Sequence, residues 1–286
     1  MILIADSGST KTDWCLAQDG KALCRFSTPG INPVLQSEEE IESHVRGQVI
    51  PALAECQKSA GGRERGGVES VRFYGSGCRE DKVAGMEQLL RRCFAVADVE
   101  VCSDLVGAAR ALSDGEEVIA CILGTGSNSC LFDGQKIVCN VSPMGYVLGD
   151  EGSGAVLGRL LVNALFKAGW PAALQQEMRA AAGLTLDGVI QRVYREPMPN
   201  RFLASLAPVV HRFLGYREVE ELVVENFRSF FRRNVSAYGR PDLPVGAVGS
   251  IAWFFRGQLE QAAKAEGYEM GRILQGPMDR LVEKSL

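Results

Sequence analysis

The chain has 286 residues, a formal net charge of −4, and 46% hydrophobic against 23% charged residues. That length exceeds one compact domain and suits two. The acidic balance, with only short basic stretches at 63–67, 89–94 and 227–234, argues against non-specific nucleic-acid binding. No apolar run nears the ~20 residues that a membrane span needs.

In chain order, "MILIA" (1–5) reads as a buried strand. "TDWCLAQ" (12–18) and "KALCRFS" (21–27) follow as strands joined by Asp19-Gly20, a hairpin signal. Residues 37–56 read as a helix, with Ser37 and Glu40 spaced as a capping box. Pro51 either kinks that helix or starts its second half. Residues 58–67 read as an exposed loop. A strand (68–75), a helix (81–94) and a strand (99–104) complete a β-β-β-α-β-α-β segment, expected to form a mixed sheet flanked by helices.

A short helix (105–112) and a strongly buried strand (116–124) open the second part. The turn "TGSNS" leads back into strands at 130–134 and 135–141. From Ser153 the pattern turns helical, over 153–169, 173–183, 186–196, 202–215 and 218–239. A strand (243–249) runs into a glycine turn. A helix (253–267), a strand (270–275) and a helix opened by Pro277 close the chain.

The second hairpin repeats the first. "GSTKTDWCLAQDGKALC" and "GSNSCLFDGQKIVC" share Gly-Ser, Cys-Leu, Asp-Gly, Lys and Cys in that order. Cys15-Leu16 matches Cys130-Leu131, and Asp19-Gly20 matches Asp133-Gly134. The ordered set points to two domains built on one plan, 1–104 and 105–276, the second carrying a helical insertion.

Nine cysteines, none in a C-x-x-C pair and most inside apolar runs, read as buried reduced thiols. With only His44 and His211 beside them, zinc-ligand spacing is missing. The first residues show no basic lead and no sustained apolar segment, so a cytoplasmic location is expected.

Several loops carry more polar chemistry than chain reversal requires. The first turn holds Asp6, Gly8, Ser9, Thr10, Lys11 and Thr12. Glycine frees backbone N–H groups for an anion, and hydroxyls and a lysine add donors. P-loop and G-x-G-x-x-G spacings are both absent. Asp6 beside phosphate makes sense with a hydrated Mg²⁺ between them. The second turn, Gly124, Thr125 and Gly126, repeats the pattern, and two such turns could clamp one polyphosphate.

Asp104 ends a strand and opens a helix. It reads either as an N-cap or as a carboxylate aimed at a ligand. Asp150 and Glu151 sit among Gly149, Gly152 and Gly154. They suit vicinal sugar hydroxyls, or merely complement a helix dipole. Gly249 and Ser250 form a strand-to-helix turn that permits close approach of a flat ring or tight packing.

Together, "DSGSTKTDW" (6–14), "TPGINP" (28–33), "SDLVGAARA" (103–111), "GTGSNS" (124–129), "LGDEGSG" (148–154) and "GSIA" (249–252) resemble the sugar kinase, heat-shock chaperone and actin superfamily. Within it, the chain is similar to the BadF/BadG-type ATPase family and its N-acetylglucosamine kinase branch.

The resemblance implies an α/β fold of two ribonuclease-H-like, actin-like ATPase domains with mixed five-stranded sheets and a cleft between them. The last helix (277–286) would return to the first domain. The resemblance further implies an ATP-dependent kinase acting on a hydroxyl of N-acetylglucosamine or a related amino sugar or hexose. ATP and Mg²⁺ would be its cofactors, and neither nucleic acid nor membrane its partner. A homodimer is one assembly kept open.

By that resemblance Asp104 is the catalytic base and Asp6 holds Mg²⁺ through water. Gly8, Ser9, Thr10, Lys11, Thr12, Gly124, Thr125, Gly126, Gly249 and Ser250 bind ATP. Asn32, Ser127, Gly145, Asp150 and Glu151 line the sugar. One departure stands out. Where the branch commonly has Gly-Gly-Trp-Gly, this chain has Ser142-Pro143-Met144-Gly145, so glucosamine, glucose or another sugar also enters consideration. Two alternatives are an ATPase that activates a dehydratase or reductase, and a non-catalytic ATP- and sugar-binding regulator.

Overall fold

The computed structural model describes residues 1–8, 10–59 and 67–285. Ser9 and most of the loop read over 58–67 lie outside the described residues. The chain divides into two units, 1–114 with 276–286, and 115–275.

The first unit holds β1 (Ile2–Ser7), β2 (Lys11–Gln18), β3 (Lys21–Pro29), β4 (Ser70–Gly75) and β5 (Asp98–Ser103), in the order β3-β2-β1-β4-β5. The β1-β2-β3 meander is antiparallel, and β4 and β5 run parallel to β1. Helices α1 (Glu38–His44), α2 (Ile50–Ser59), α3 (Glu80–Phe94), α4 (Asp104–Leu112) and α14 (Met278–Glu283) flank the sheet. Alternation dictates the packing. Leu3, Ala5, Trp14, Leu16, Val71 and Phe73 meet Ile41, Val45, Leu89 and Leu90 in one buried core.

The expected capping box is present: Ser37 Oγ accepts the Glu40 N–H, and Glu40 Oε2 accepts the Ser37 N–H at 2.7 Å. Pro51 has no N–H to give to the preceding turn. A π-turn at Val45–Val49 absorbs the break, with the Ile50 N–H bonded to the Val45 carbonyl.

The second unit repeats the plan. β6 (Val118–Leu123), β7 (Ser127–Phe132), β8 (Ile137–Val141), β9 (Val245–Val248) and β10 (Met270–Leu274) take the order β10-β9-β6-β7-β8. β6-β7-β8 is antiparallel, and β9 and β10 run parallel to β6. Even the irregularities match: the register shifts after Leu16 in the first meander and after Leu131 in the second.

Around this sheet lie α5 (Gly145–Leu148), α6 (Gly154–Phe166), α7 (Ala172–Ala182), α8 (Leu186–Tyr194), α9 (Pro199–Ala204), α10 (Ala207–Arg212), α11 (Arg217–Arg233), α12 (Ser250–Phe254) and α13 (Arg256–Ala265). On α11 the buried positions 219, 223, 226, 227, 230 and 231 follow helical spacing.

Some expectations are corrected. The first unit extends to residue 114, not 104, because α4 packs on β4 and β5 and against α14. The helix read over 202–215 is two, α9 and α10, with Pro208 in the first turn of the second. The helix read over 253–267 is likewise broken, between α12 and α13, and α5 was not anticipated. Not every cysteine is a reduced thiol: Cys24 of β3 and Cys56 of α2 form a disulfide with Cα atoms 5.8 Å apart, and seven cysteines are free. Thirty-two residues of sequence separate that pair, and only the packing of α2 on β3 brings them together. Among the described residues no helix is long and apolar enough to cross a membrane.

Candidate functional site

In the first unit, Asp6 occupies β1 between Asp13 of β2 and Tyr74 of β4. Asp104 follows β5 as the first residue of α4. Parallel β1, β4 and β5 end at one edge, which places both carboxylates there. Ser103, not Asp104, is the N-cap: its hydroxyl accepts the Val106 N–H at 3.3 Å. Asp104 is thereby released from the capping duty that its sequence position allowed. Its Oδ1 accepts the adjacent Leu105 N–H at 2.9 Å.

Protein surrounds both carboxylates closely although each keeps some exposed area. Burial raises Asp104 to about 6, against the Leu105 N–H that favours the charge. Burial raises Asp6 to about 7, and the charges of Asp104 and Asp13 push it further than Lys11 pulls it back. Two mutually repelling carboxylates, neither in an ion pair among the described residues, are a donor set short of a cation. No group of three or more His, Cys, Asp or Glu converges among the described residues. The pair therefore fits a hydrated divalent ion better than a protein-only cage.

The first turn separates into exposed and buried parts. Gly8, Thr10 and Lys11 are exposed, and the Gly8 N–H closes the turn on the Lys11 carbonyl at 3.0 Å. Lys11 also pairs with Asp13 at 2.8 Å. Thr12 departs from its expected contact with ATP. It is fully buried, bonded to Ser7 Oγ at 2.7 Å, with the Pro29 carbonyl also within reach at 3.3 Å. Asn32 lies against Gly77, where an added Cβ would stand 2.1 Å from Asn32 Oδ1. That oxygen accepts the Val34 N–H at 2.9 Å, and no partner for Nδ2 occurs among the described residues.

In the second unit, three expected loops converge. A Cβ on Gly249 would stand 2.3 Å from the Leu123 carbonyl oxygen, and φ there is +130°, so only glycine lets this turn lie on the other. The Gly154 and Ala155 N–H groups donate to the Gly124 and Thr125 carbonyls at 2.8 and 3.1 Å. Asp150 Oδ2 would be 3.0 Å from a Cβ on Gly126. Gly124, Gly126, Asp150 and Gly249 thus form one cluster, flanked by Thr125 and Ser250. Ser127 opens β7 and is buried.

Asp150 adopts φ +55°, a left-handed conformation that costs a non-glycine residue about 1 kcal/mol or more. Burial raises its carboxyl to about 6, opposed by the Gly145 N–H and helped by the Glu151 charge. Glu151 turns elsewhere, pairing with Arg233 at 3.5 Å and accepting from Asn234 at 3.4 Å.

Two positions escaped sequence reading. Asn226, buried on α11, accepts the Gly152 N–H at 3.0 Å and reaches the Ser153 carbonyl at 3.4 Å. Its signal was a lone amide in the apolar phase of that helix. Ser7 holds Ile31 through its hydroxyl, and no local pattern marks that pairing.

No family model matches the chain, and neither does any curated protein. Among solved structures, a Porphyromonas gingivalis protein provisionally named an N-acetylglucosamine kinase is 47% identical, with 99% of this chain and 98% of that one covered and a TM-score of 0.92. A Chromobacterium violaceum protein given the same provisional name is 20% identical over 99% and 98%, with a TM-score of 0.75. A ROK family glucokinase from Streptomyces griseus, solved with glucose and AMPPNP, is 16% identical over 99% and 97%, with a TM-score of 0.55. The last two likenesses show the shared fold.

Proposed function

The chain belongs to the N-acetylglucosamine kinase branch of the BadF/BadG-type ATPase family, and from that membership we propose a residue-level reading of an ATP-dependent sugar kinase. One observation carries the reading: Asp6 and Asp104 share one edge of one sheet, neither in an ion pair among the described residues, each held above its ordinary range by burial.

In this reading Asp104 accepts the proton of the attacking sugar hydroxyl. A late proton transfer asks little more of the base than position. Gly8, Thr10 and Lys11 of the first turn, and Gly124, Thr125 and Gly126 of the second, hold the phosphates of ATP. Gly249 and Ser250 border the adenosine. Asp6 fits Mg²⁺ through water, where the ion neutralises charge on the transferring phosphate. Asn32 offers its amide, and Asp150 its carboxylate, to sugar hydroxyls. Gly145 orients Asp150 through its N–H. Glu151 supports that loop from the Arg233 side. N-acetylglucosamine leads the candidate sugars, with related amino sugars and hexoses behind it because of the Ser142-Pro143-Met144 segment.

The test is an ADP-release screen across amino sugars and hexoses, with Asp104→Asn beside the wild type. The expected result is one preferred sugar, a kcat lowered at least about 100-fold in the variant, and ATP affinity within a few-fold of wild type. Turnover in Asp104→Asn near the wild-type rate removes that residue from the role of base.

A further inference from the structure

Ser7 sits at the last position of β1, between Asp6 and the first turn, and is fully buried. Its hydroxyl is engaged by the protein's own main chain. It donates to the Ile31 carbonyl at 2.9 Å and accepts the Ile31 N–H at 3.0 Å. The Thr12 hydroxyl lies 2.7 Å away and supplies the remaining hydrogen bond. One proton given and two received exhaust the capacity of a serine oxygen. The Ser7 main chain works too: its carbonyl accepts the Ser76 N–H at 2.8 Å.

These bonds converge on one neighbour. Ile31 precedes Asn32, and Ser76 precedes Gly77, against which the Asn32 carboxamide is seated. Ser7 therefore ties both sides of the Asn32 seat to the strand that carries Asp6 and ends at Gly8. The Gly30 N–H adds a parallel tie to the Thr10 carbonyl at 3.2 Å. Gln36 closes the loop from the far side, accepting the Asn32 N–H at 2.7 Å.

We propose that Ser7 is a positioning residue for the sugar: its hydroxyl fixes the 30–36 loop so that Asn32 is presented in register with the first phosphate turn. The proposal rests on the kinase reading above and assigns Ser7 a task within it. A hydroxyl clamped on both main-chain groups of one residue resists sliding in either direction. A single hydrogen bond does not. Loss of the clamp leaves the loop folded but free to shift by fractions of an ångström, which misplaces the sugar more than the nucleotide.

The experiment compares wild type, Ser7→Ala, Ser7→Thr and Thr12→Val with the sugar that the screen selects. In Ser7→Ala the sugar KM is expected to rise about tenfold with the ATP KM unchanged within about twofold. Ser7→Thr, which keeps the oxygen, restores most of that loss. Thr12→Val removes the third bond, together with the Thr12 contact to the Pro29 carbonyl, and gives a smaller shift in the same direction. It carries the test if Ser7→Ala does not fold. Hydrogen exchange gives a reading free of turnover: amides 31–36 should exchange faster in Ser7→Ala while β2 and β4 stay protected. Equal loss in sugar KM, ATP KM and melting temperature would mean a merely structural serine and overturns the proposal. So does an unchanged sugar KM in an active Ser7→Ala enzyme. A wild type that phosphorylates no sugar overturns the kinase reading instead, and the assignment to the sugar falls with it.

Discussion

Asp104 shows how one residue can carry two readings until its neighbours are seen. Alone it is a plausible cap for α4. In the structure Ser103 caps, and Asp104 stands buried beside Asp6 at a cost to folding. A carboxyl raised to about 6 in the folded chain, against 3.8 unfolded, destabilises the protein wherever it is ionised. That penalty is fully present above pH 6, shrinks as pH falls below it, and vanishes only below about 3.8, where both states are protonated. Asp104→Asn should therefore melt several degrees above wild type at pH 7.5, with the gap narrowing through pH 6 to 4 and closing below about pH 3.5, by calorimetry across that range. The same carboxyl predicts the acid limb of kcat/KM. With Asp104 as the base proposed above, activity should fall as pH drops through about 6, because a protonated base accepts nothing.

At the scale of elements, the second glycine turn is built from the outside. Residues 124–126 have little side chain of their own to hold them. The start of α6 donates into their carbonyls, Gly249 lies on Leu123, and Asn226 of α11 ties Gly152 and Ser153. Asn226→Leu is close in volume yet leaves the buried Gly152 N–H without its acceptor, a loss of about 1–3 kcal/mol. The expected outcome is a Tm several degrees lower and a raised sugar KM through the displaced Asp150 loop, measured by thermal melting and steady-state kinetics. The strands and the long helices of this unit were legible because period 2 and period 3.6 are local properties. The breaks at 205–206 and at Phe255 were not, since apolar residues continue across them and packing decides where the helix ends.

For the whole molecule, each unit closes over its own core, and the first one needs the end of the chain to do so. Met278, Leu281 and Val282 of α14 are buried in unit 1, and Arg280 pairs with Asp114. Three such side chains contribute about 1.5–3 kcal/mol each, against a domain stability of about 5–15 kcal/mol. Truncation after Gln275 should accordingly speed hydrogen exchange in β1–β5 while β6–β10 stay protected. The sequence by itself determined the duplicated strand–turn–strand plan, the order of the strands in the chain and the loops rich in glycine and carboxylates. Those features depend on residue type, spacing and internal repetition, all of which can be read without coordinates. Tertiary structure alone decided which polar residues serve the scaffold. Thr12 and Glu151 carry the same chemistry as their neighbours, and they are spent on Ser7 and Arg233 only because folding brings those partners within hydrogen-bonding or ion-pairing distance. The Cys24–Cys56 bond has the same cause, since a thiol's partner is set by where α2 packs on β3 and not by the thiol itself.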